Sequence, residues 1–167
     1  MKNTALDKLF KKYFNEVKLY VFSLSRNIAL SEEIATDAFY KAFVSIDENK
    51  DGFKYWLFKV ARNLYIDYIR KAKRLKPLDD IEIEDDGITT IDNLIKEEEY
   101  KALYRAIALL KDTYREVILL YYFDGLHGEE IAGIINESVE NVKVKLYRAR
   151  LKLKKILEES HEFWWSL

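Results

Sequence analysis

Apolar residues open the chain at three- and four-residue steps: Leu6, Leu9, Phe10, Tyr13, Phe14, Val17, Tyr20, Val21 and Leu24. That spacing gathers them on one stripe of a first amphipathic helix. Ser31 can cap a second, with Glu32 and Glu33 in the first turn, where the helix dipole favours carboxylates. Ile34, Ala35, Ala38, Phe39, Ala42 and Phe43 then share a face. The run Asp47-Glu48-Asn49-Lys50-Asp51-Gly52 breaks the pattern as a loop. A third helix is predicted from about Phe53 to Arg74, with Trp56, Leu57, Val60, Ala61, Leu64 and Tyr68 turned inward. Pro77, the only proline, ends it, because the residue before a proline is pushed out of helical geometry.

Residues 77–91 are acidic and poor in helix signals, and the "IEIE" within them has no strand partner nearby; they read as a linker. Helix resumes near Asp92, where Leu94, Leu103, Ile107 and Leu110 continue an apolar stripe, followed by Tyr114, Val117, Ile118 and Tyr121. "DGLHG" at 124–128 is a turn, Glu129–Ile135 a short helix and Val139–Leu157 a long one. The fold class is all-α: two small helical domains, 1–76 and 92–167, joined by the acidic linker 77–91, the C-terminal one containing a helix-turn-helix.

One stretch tests that reading. "VKVKLYRARLKLKK", 142–155, alternates apolar and basic residues like a strand. A strand keeps its apolar residues on one parity. Here Val142, Val144 and Leu146 are even while Tyr147, Ala149, Leu151 and Leu153 are odd, so the strand reading fails. At about 100° per residue, Val139, Val142, Leu146, Ala149, Leu153, Ile156 and Leu157 collect on one helical face. Lys143, Arg148, Lys154 and Lys155 project away from it, with Lys145, Arg150 and Lys152 on the flanks. A short helix, a tight turn and a long basic helix make a helix-turn-helix candidate. Such a motif needs a small residue at the helix crossing, a turn residue tolerant of left-handed φ, and an apolar lock on the second helix. Ala132, Asn136 and Val142 fall at those places, asparagine being the usual substitute for glycine at the turn.

Composition narrows the chemistry. The chain of 167 residues has no cysteine and two histidines, which excludes a disulfide framework and argues against a zinc site. Its first residues lack an apolar signal core, and no apolar run approaches membrane-spanning length. The expectation is a soluble cytoplasmic protein without membrane insertion. A net charge of −1 hides segregation: residues 1–76 carry +7, 77–100 carry −9, and 142–155 hold seven basic residues and no acid. Two partly basic lobes on an acidic strap fit a polyanion partner. Residues 47–52 begin like a calcium-binding loop, but its twelfth position is Phe58, without the bidentate carboxylate. No nucleophile–base pair or phosphate-cradling glycine loop is visible, so neither an enzyme nor a cofactor is expected.

These residues resemble a family. "YREVILLYYFDGLHGEEIAGIINESVENVKVKLYRARLKLKK" is similar to the promoter-binding C-terminal domain of bacterial RNA polymerase sigma factors, in particular the compact extracytoplasmic-function group. "SEEIATDAFYKAF" followed by "FKYWLFKVARNLYIDYIRKAKR" resembles that group's first domain. The resemblance implies an alternative sigma factor with core RNA polymerase and promoter DNA as partners, and an anti-sigma factor as a regulatory partner. It implies that residues 31–43 dock on the polymerase clamp, with Glu33, Asp37, Tyr40 and Lys41 as contacts. It implies that Phe53, Lys54, Tyr55, Trp56, Lys59, Arg62, Asn63 and Arg70 meet the melted minus-ten element, with loop 47–52 capturing a base. Asn141, Lys143, Val144, Lys145, Tyr147 and Arg148 are the corresponding candidates for the minus-thirty-five element. Alternating aromatics and cations suit single-stranded DNA, which wants stacking faces and backbone counter-charges; a core role for Trp56 and Phe58 is the alternative.

The chain departs from the family at several points. Lys111 stands where a proline is usual, His127-Gly128 replaces a polar-aromatic pair, and Asn136 takes the place of the turn glycine. Val144-Lys145 stands where a small polar residue and an arginine are usual. Val144, Tyr147 and Leu151 thus form a second apolar stripe, suited either to a thymine methyl or to another protein surface. The tail "EFWWSL" reads as a docking tag or as a segment packing back on the domain. A helix-turn-helix regulator acting without polymerase would account for residues 129–155 but leave the N-terminal motif without a task.

Overall fold

Among the described residues, thirteen apolar side chains of the first half of the chain and sixteen of the second are buried, nearly all of them on helices. The structure, a computed structural model, describes residues 4–45, 52–75 and 98–159. It divides into two compact units, Met1–Glu84 and Asp85–Leu167, and all regular structure among the described residues is helical. The predicted linker 77–91, loop 47–51, Leu94 and the terminal EFWWSL lie outside the described residues.

In the first unit, α1 (Thr4–Ser25), α2 (Ile28–Ser45) and α3 (Phe53–Leu75) pack pairwise on one another. Val17, Tyr20, Val21 and Phe22 of α1 meet Ile34, Ala35, Ala38, Phe39 and Ala42 of α2 and Phe53, Leu57, Phe58 and Ala61 of α3 in the buried interior. The fully buried alanines let the helix axes approach, and rings fill what remains: Tyr20–Phe58 centroids are 5.4 Å apart and Phe10–Phe39 5.1 Å. Tyr65 ties α3 to the end of α1 by donating its hydroxyl proton to the Leu24 carbonyl at 3.0 Å.

The start of α2 corrects the expectation for Ser31. The helix begins four residues earlier, and Asn27 caps it, its Oδ1 accepting the Leu30 N–H at 3.0 Å. Ser31 is instead buried inside the first turn, where its hydroxyl donates to the Asn27 carbonyl at 2.7 Å and lies 3.1 Å from the Ser25 hydroxyl. Arg26, at φ 55°, reverses the chain between α1 and α2. A serine–glutamate pair at a predicted boundary carries the capping pattern, but a polar side chain one turn upstream competes for the same role.

The second unit contains α4 (Glu98–Ala108), α5 (Asp112–Ile118, continuing as a π-helical turn at Leu119–Phe123), α6 (Gly128–Ile135) and α7 (Val139–Glu159). Helix α7 packs on α4, α5 and α6 through Val142, Leu146 and Ala149. Buried Arg115 staples the α4–α5 turn, donating to the carbonyls of Ala108 at 3.2 Å and Leu110 at 3.0 Å while pairing with Asp112. Lys111 has φ −58°, the value a proline ring imposes, so the backbone keeps that geometry without the ring. The π turn is closed by Asp124 N–H to the Leu119 carbonyl at 3.0 Å, and it turns Tyr121 and Tyr122 outward.

Candidate nucleic-acid interface

The α6–α7 turn is built by the residues singled out from the sequence. Asn136 adopts φ 60°, ψ 47°, and its N–H and that of Glu137 both reach the Ala132 carbonyl, which closes α6. At the other end of α6, Glu130 accepts the His127 N–H at 3.0 Å. Ser138 then starts α7 by accepting the Asn141 N–H at 3.1 Å. Val142 is fully buried and locks α7 against the unit. The result is a helix-turn-helix whose second helix turns its basic face to solvent.

On that face Asn141, Lys143, Tyr147 and Arg148 are exposed. Val144 is 44% exposed, Tyr147 62% and Leu151 52%, forming a stripe at i, i+3 and i+7. Lys143 and Arg148 flank the stripe on opposite sides and have no ion-pair partner among the described residues. Lys145 differs: it is half-buried and ion-paired with Glu137, eight residues away at the turn. Arg150 is also committed, donating to the Tyr122 hydroxyl and lying 5.6 and 5.4 Å from the ring centroids of Tyr121 and Tyr122. This aromatic–guanidinium cluster escaped sequence reading because a π turn shifts the register of Tyr121, for which helical periodicity gives no sign.

The other candidate surface is on α3. Trp56, read as inward from its periodicity, is 44% exposed, and Tyr68 is exposed too; Phe58 is buried in their stead. Tyr55 and Trp56 meet edge to face at 5.9 Å, and Lys59 Nζ lies 5.6 and 5.3 Å from their ring centroids and 3.4 Å from the Tyr55 hydroxyl. Asn63 and Arg70 continue the exposed face at helical spacing, with Arg70 3.6 Å from Asp67, and Arg62 is half-buried. Phe53 is buried and so offers no ring face; it belongs to the core, 6.3 Å from Phe39. Lys54 is turned toward α1, with Glu16 at 3.2 Å and the Tyr13 ring at 5.4 Å. Six of the eight predicted positions therefore stay together on or beside one surface, and Phe53 and Lys54 leave it. Paired rings under an ammonium group form a platform on which an unstacked base can lie while the cation meets its phosphate.

On α2, Glu33, Asp37, Tyr40 and Lys41 are all exposed, and they share one face with exposed Val44. The face is mixed in character, with two acids, a lysine, an aromatic and an aliphatic residue.

Comparison with known proteins agrees in both units. The family pattern described as Sigma-70 region 2 matches residues 9–75, and that described as Sigma-70, region 4 matches residues 100–153. The sigma factor SigM of Bacillus subtilis, of the extracytoplasmic-function group, is 32% identical over 157 residues, covering 90% of this chain and 93% of its own. The chain belongs to the extracytoplasmic-function sigma factors. SigW of the same organism is 33% identical, covering 88% of this chain and 86% of its own. The sigma-E factor of Escherichia coli is 30% identical over 131 residues, or 71% of this chain and 69% of that one. A solved sigma factor, RpoE from Bartonella quintana in complex with the anti-sigma factor NepR, has a TM-score of 0.70 and covers 91% of this chain and 96% of its own. At 23% identity that likeness speaks for the fold alone. No helix among the described residues of this sigma factor is long and apolar enough to cross a membrane.

Proposed function

We propose that this sigma factor divides promoter recognition between its two units. It binds core RNA polymerase and directs it to specific promoters, as an initiation factor and not a catalyst, in the cytoplasm. In residues 1–76, the α2 face with Glu33, Asp37, Tyr40 and Lys41 docks on the polymerase clamp, and the α3 platform of Tyr55, Trp56 and Lys59 holds the melted minus-ten strand, with Arg62, Asn63 and Arg70 along the same helix. In residues 92–167, α7 enters the major groove of the minus-thirty-five element through Asn141, Lys143, Val144, Tyr147 and Arg148. Residues 77–91 connect the two. An anti-sigma factor as regulatory partner belongs to the same reading.

The observation that carries it is the exposed tryptophan of α3, set beside a tyrosine and a lysine in a chain that matches the family in both units. An isolated duplex-binding regulator has no use for a stacking platform. The test is reconstitution with core polymerase, followed by pull-down and run-off transcription on genomic templates. Co-purification and new promoter-dependent transcripts are expected. Tight duplex binding with no polymerase association would overturn the reading.

A further inference from the structure

The solvent face of α7 is unusual for a helix that meets DNA: its centre line is apolar and its cations stand to the sides. Val144, Tyr147 and Leu151 lie on the side of the helix away from buried Val142, Leu146 and Ala149. Lys143 and Arg148 lie on either flank. A helix laid in a major groove presents its centre line to the base edges and its flanks to the two phosphate walls. Of the groups on the groove floor, only the thymine C5 methyl is apolar.

Lys145 adds the second observation. It follows Val144 directly, on the flank of α7, and Glu137 holds it there. Glu137 is itself fixed by the turn, since its N–H is bonded to the Ala132 carbonyl at 3.0 Å. The ion pair therefore spans the turn and the second turn of α7, and it keeps the ammonium group at the edge of the helix. An ammonium donor would favour guanine O6 and N7 at that base step, whereas its withdrawal leaves an aliphatic side chain there.

We propose that Val144 is a specificity-determining residue that reads a thymine methyl in the minus-thirty-five duplex, and that Glu137 is a positioning residue that keeps Lys145 off the bases. This rests on the placement of α7 in the major groove. Basic flanks on both sides of the stripe, in a segment of seven cations without an acid, favour DNA as its occupant over another protein. Glu137 acts by subtraction: it lowers overall affinity and leaves the choice of base to shape and methyl contact.

The test uses the holoenzyme reconstituted with core polymerase and a duplex selected from a random pool. Each thymine of the selected element is replaced in turn by deoxyuridine, which removes the methyl and nothing else. For the wild type, one position is expected to lose about fourfold in affinity, the scale of one buried methyl group. In Val144→Ala and Val144→Ser that position becomes indifferent to the methyl. Glu137→Gln frees Lys145, raising affinity for selected and scrambled duplexes alike and steepening the salt dependence by about one charge. Wild-type indifference to every uracil, or a methyl dependence that survives in Val144→Ala, overturns the proposal; the wild-type arm needs no variant to fold. An unchanged salt slope in Glu137→Gln overturns the positioning role. Lys143→Ala and Arg148→Ala serve as separate controls: if neither weakens duplex binding, the groove placement itself fails.

Discussion

Replacing Asn136 tests the turn on which α7 depends. Its φ of 60° and ψ of 47° lie in the left-handed region, where an L side chain costs about 1–2 kcal/mol and asparagine is among the few residues that tolerate it. Nothing in the structure gives the Asn136 side chain a hydrogen bond to lose among the described residues, so the substitution isolates the backbone term. Asn136→Ala is expected to destabilise the second unit by about 1 kcal/mol, and Asn136→Val by more, since a branched Cβ fits this region worst. Asn136→Gly should be close to neutral, because relief of the left-handed cost is offset by the greater freedom of glycine in the unfolded chain. In a unit of this size about 1 kcal/mol corresponds to roughly 4–8 °C in melting temperature. Peptide-resolved hydrogen exchange on the full chain reads the same change locally, as faster exchange across 128–159 with 4–45 unaffected. The order Gly ≈ Asn > Ala > Val is the expected result. Equal stability of the alanine and asparagine variants, or a glycine variant below alanine, would refute the conformational argument.

Trp56→Ala should weaken binding of a single-stranded minus-ten oligonucleotide by holoenzyme by about 1–3 kcal/mol, with duplex binding to the minus-thirty-five element unchanged; fluorescence anisotropy on the two probes separates the effects. Arg115→Ala leaves the Ala108 and Leu110 carbonyls without their charged donor and should cost about 2–4 kcal/mol in chemical denaturation, most of it recovered by no aliphatic replacement that cannot donate. Burial, aided by nearby Asp124 and opposed by Arg115, pushes the Tyr104 phenol well above its ordinary value near 10. Its contribution to stability is therefore complete below about pH 10 and is lost as pH rises beyond that, toward the folded-state value; Tyr104→Phe should flatten alkaline denaturation in that window, as followed by circular dichroism.

Much of the fold was legible because helical periodicity is a local signal. The stripes of α1, α3 and α7, the parity break inside 142–155 and the Ala132–Asn136–Val142 spacing each follow from residues a few places apart, and each element appears where that spacing puts it. The candidate surfaces were legible in outline for the same reason: Glu33, Asp37, Tyr40, Lys41, Lys143 and Arg148 are exposed as their positions on the helices require. What escaped depends on which neighbour arrives. Trp56 and Phe58 are both apolar and two residues apart, so either could face inward; the packing of Phe58 against Tyr20 of α1 decides it, and Trp56 is left in solvent. The same holds for Phe53, drawn into the core by Phe39, and for Lys145, held by a glutamate eight residues away that no helical spacing links to it. By itself the sequence determined the helices, their division into two units and their membership of a sigma-factor family. Only tertiary structure decided which aromatic rings and which cations remain exposed and which are buried or paired, because burial and pairing are settled between elements, at distances along the chain that periodicity does not reach.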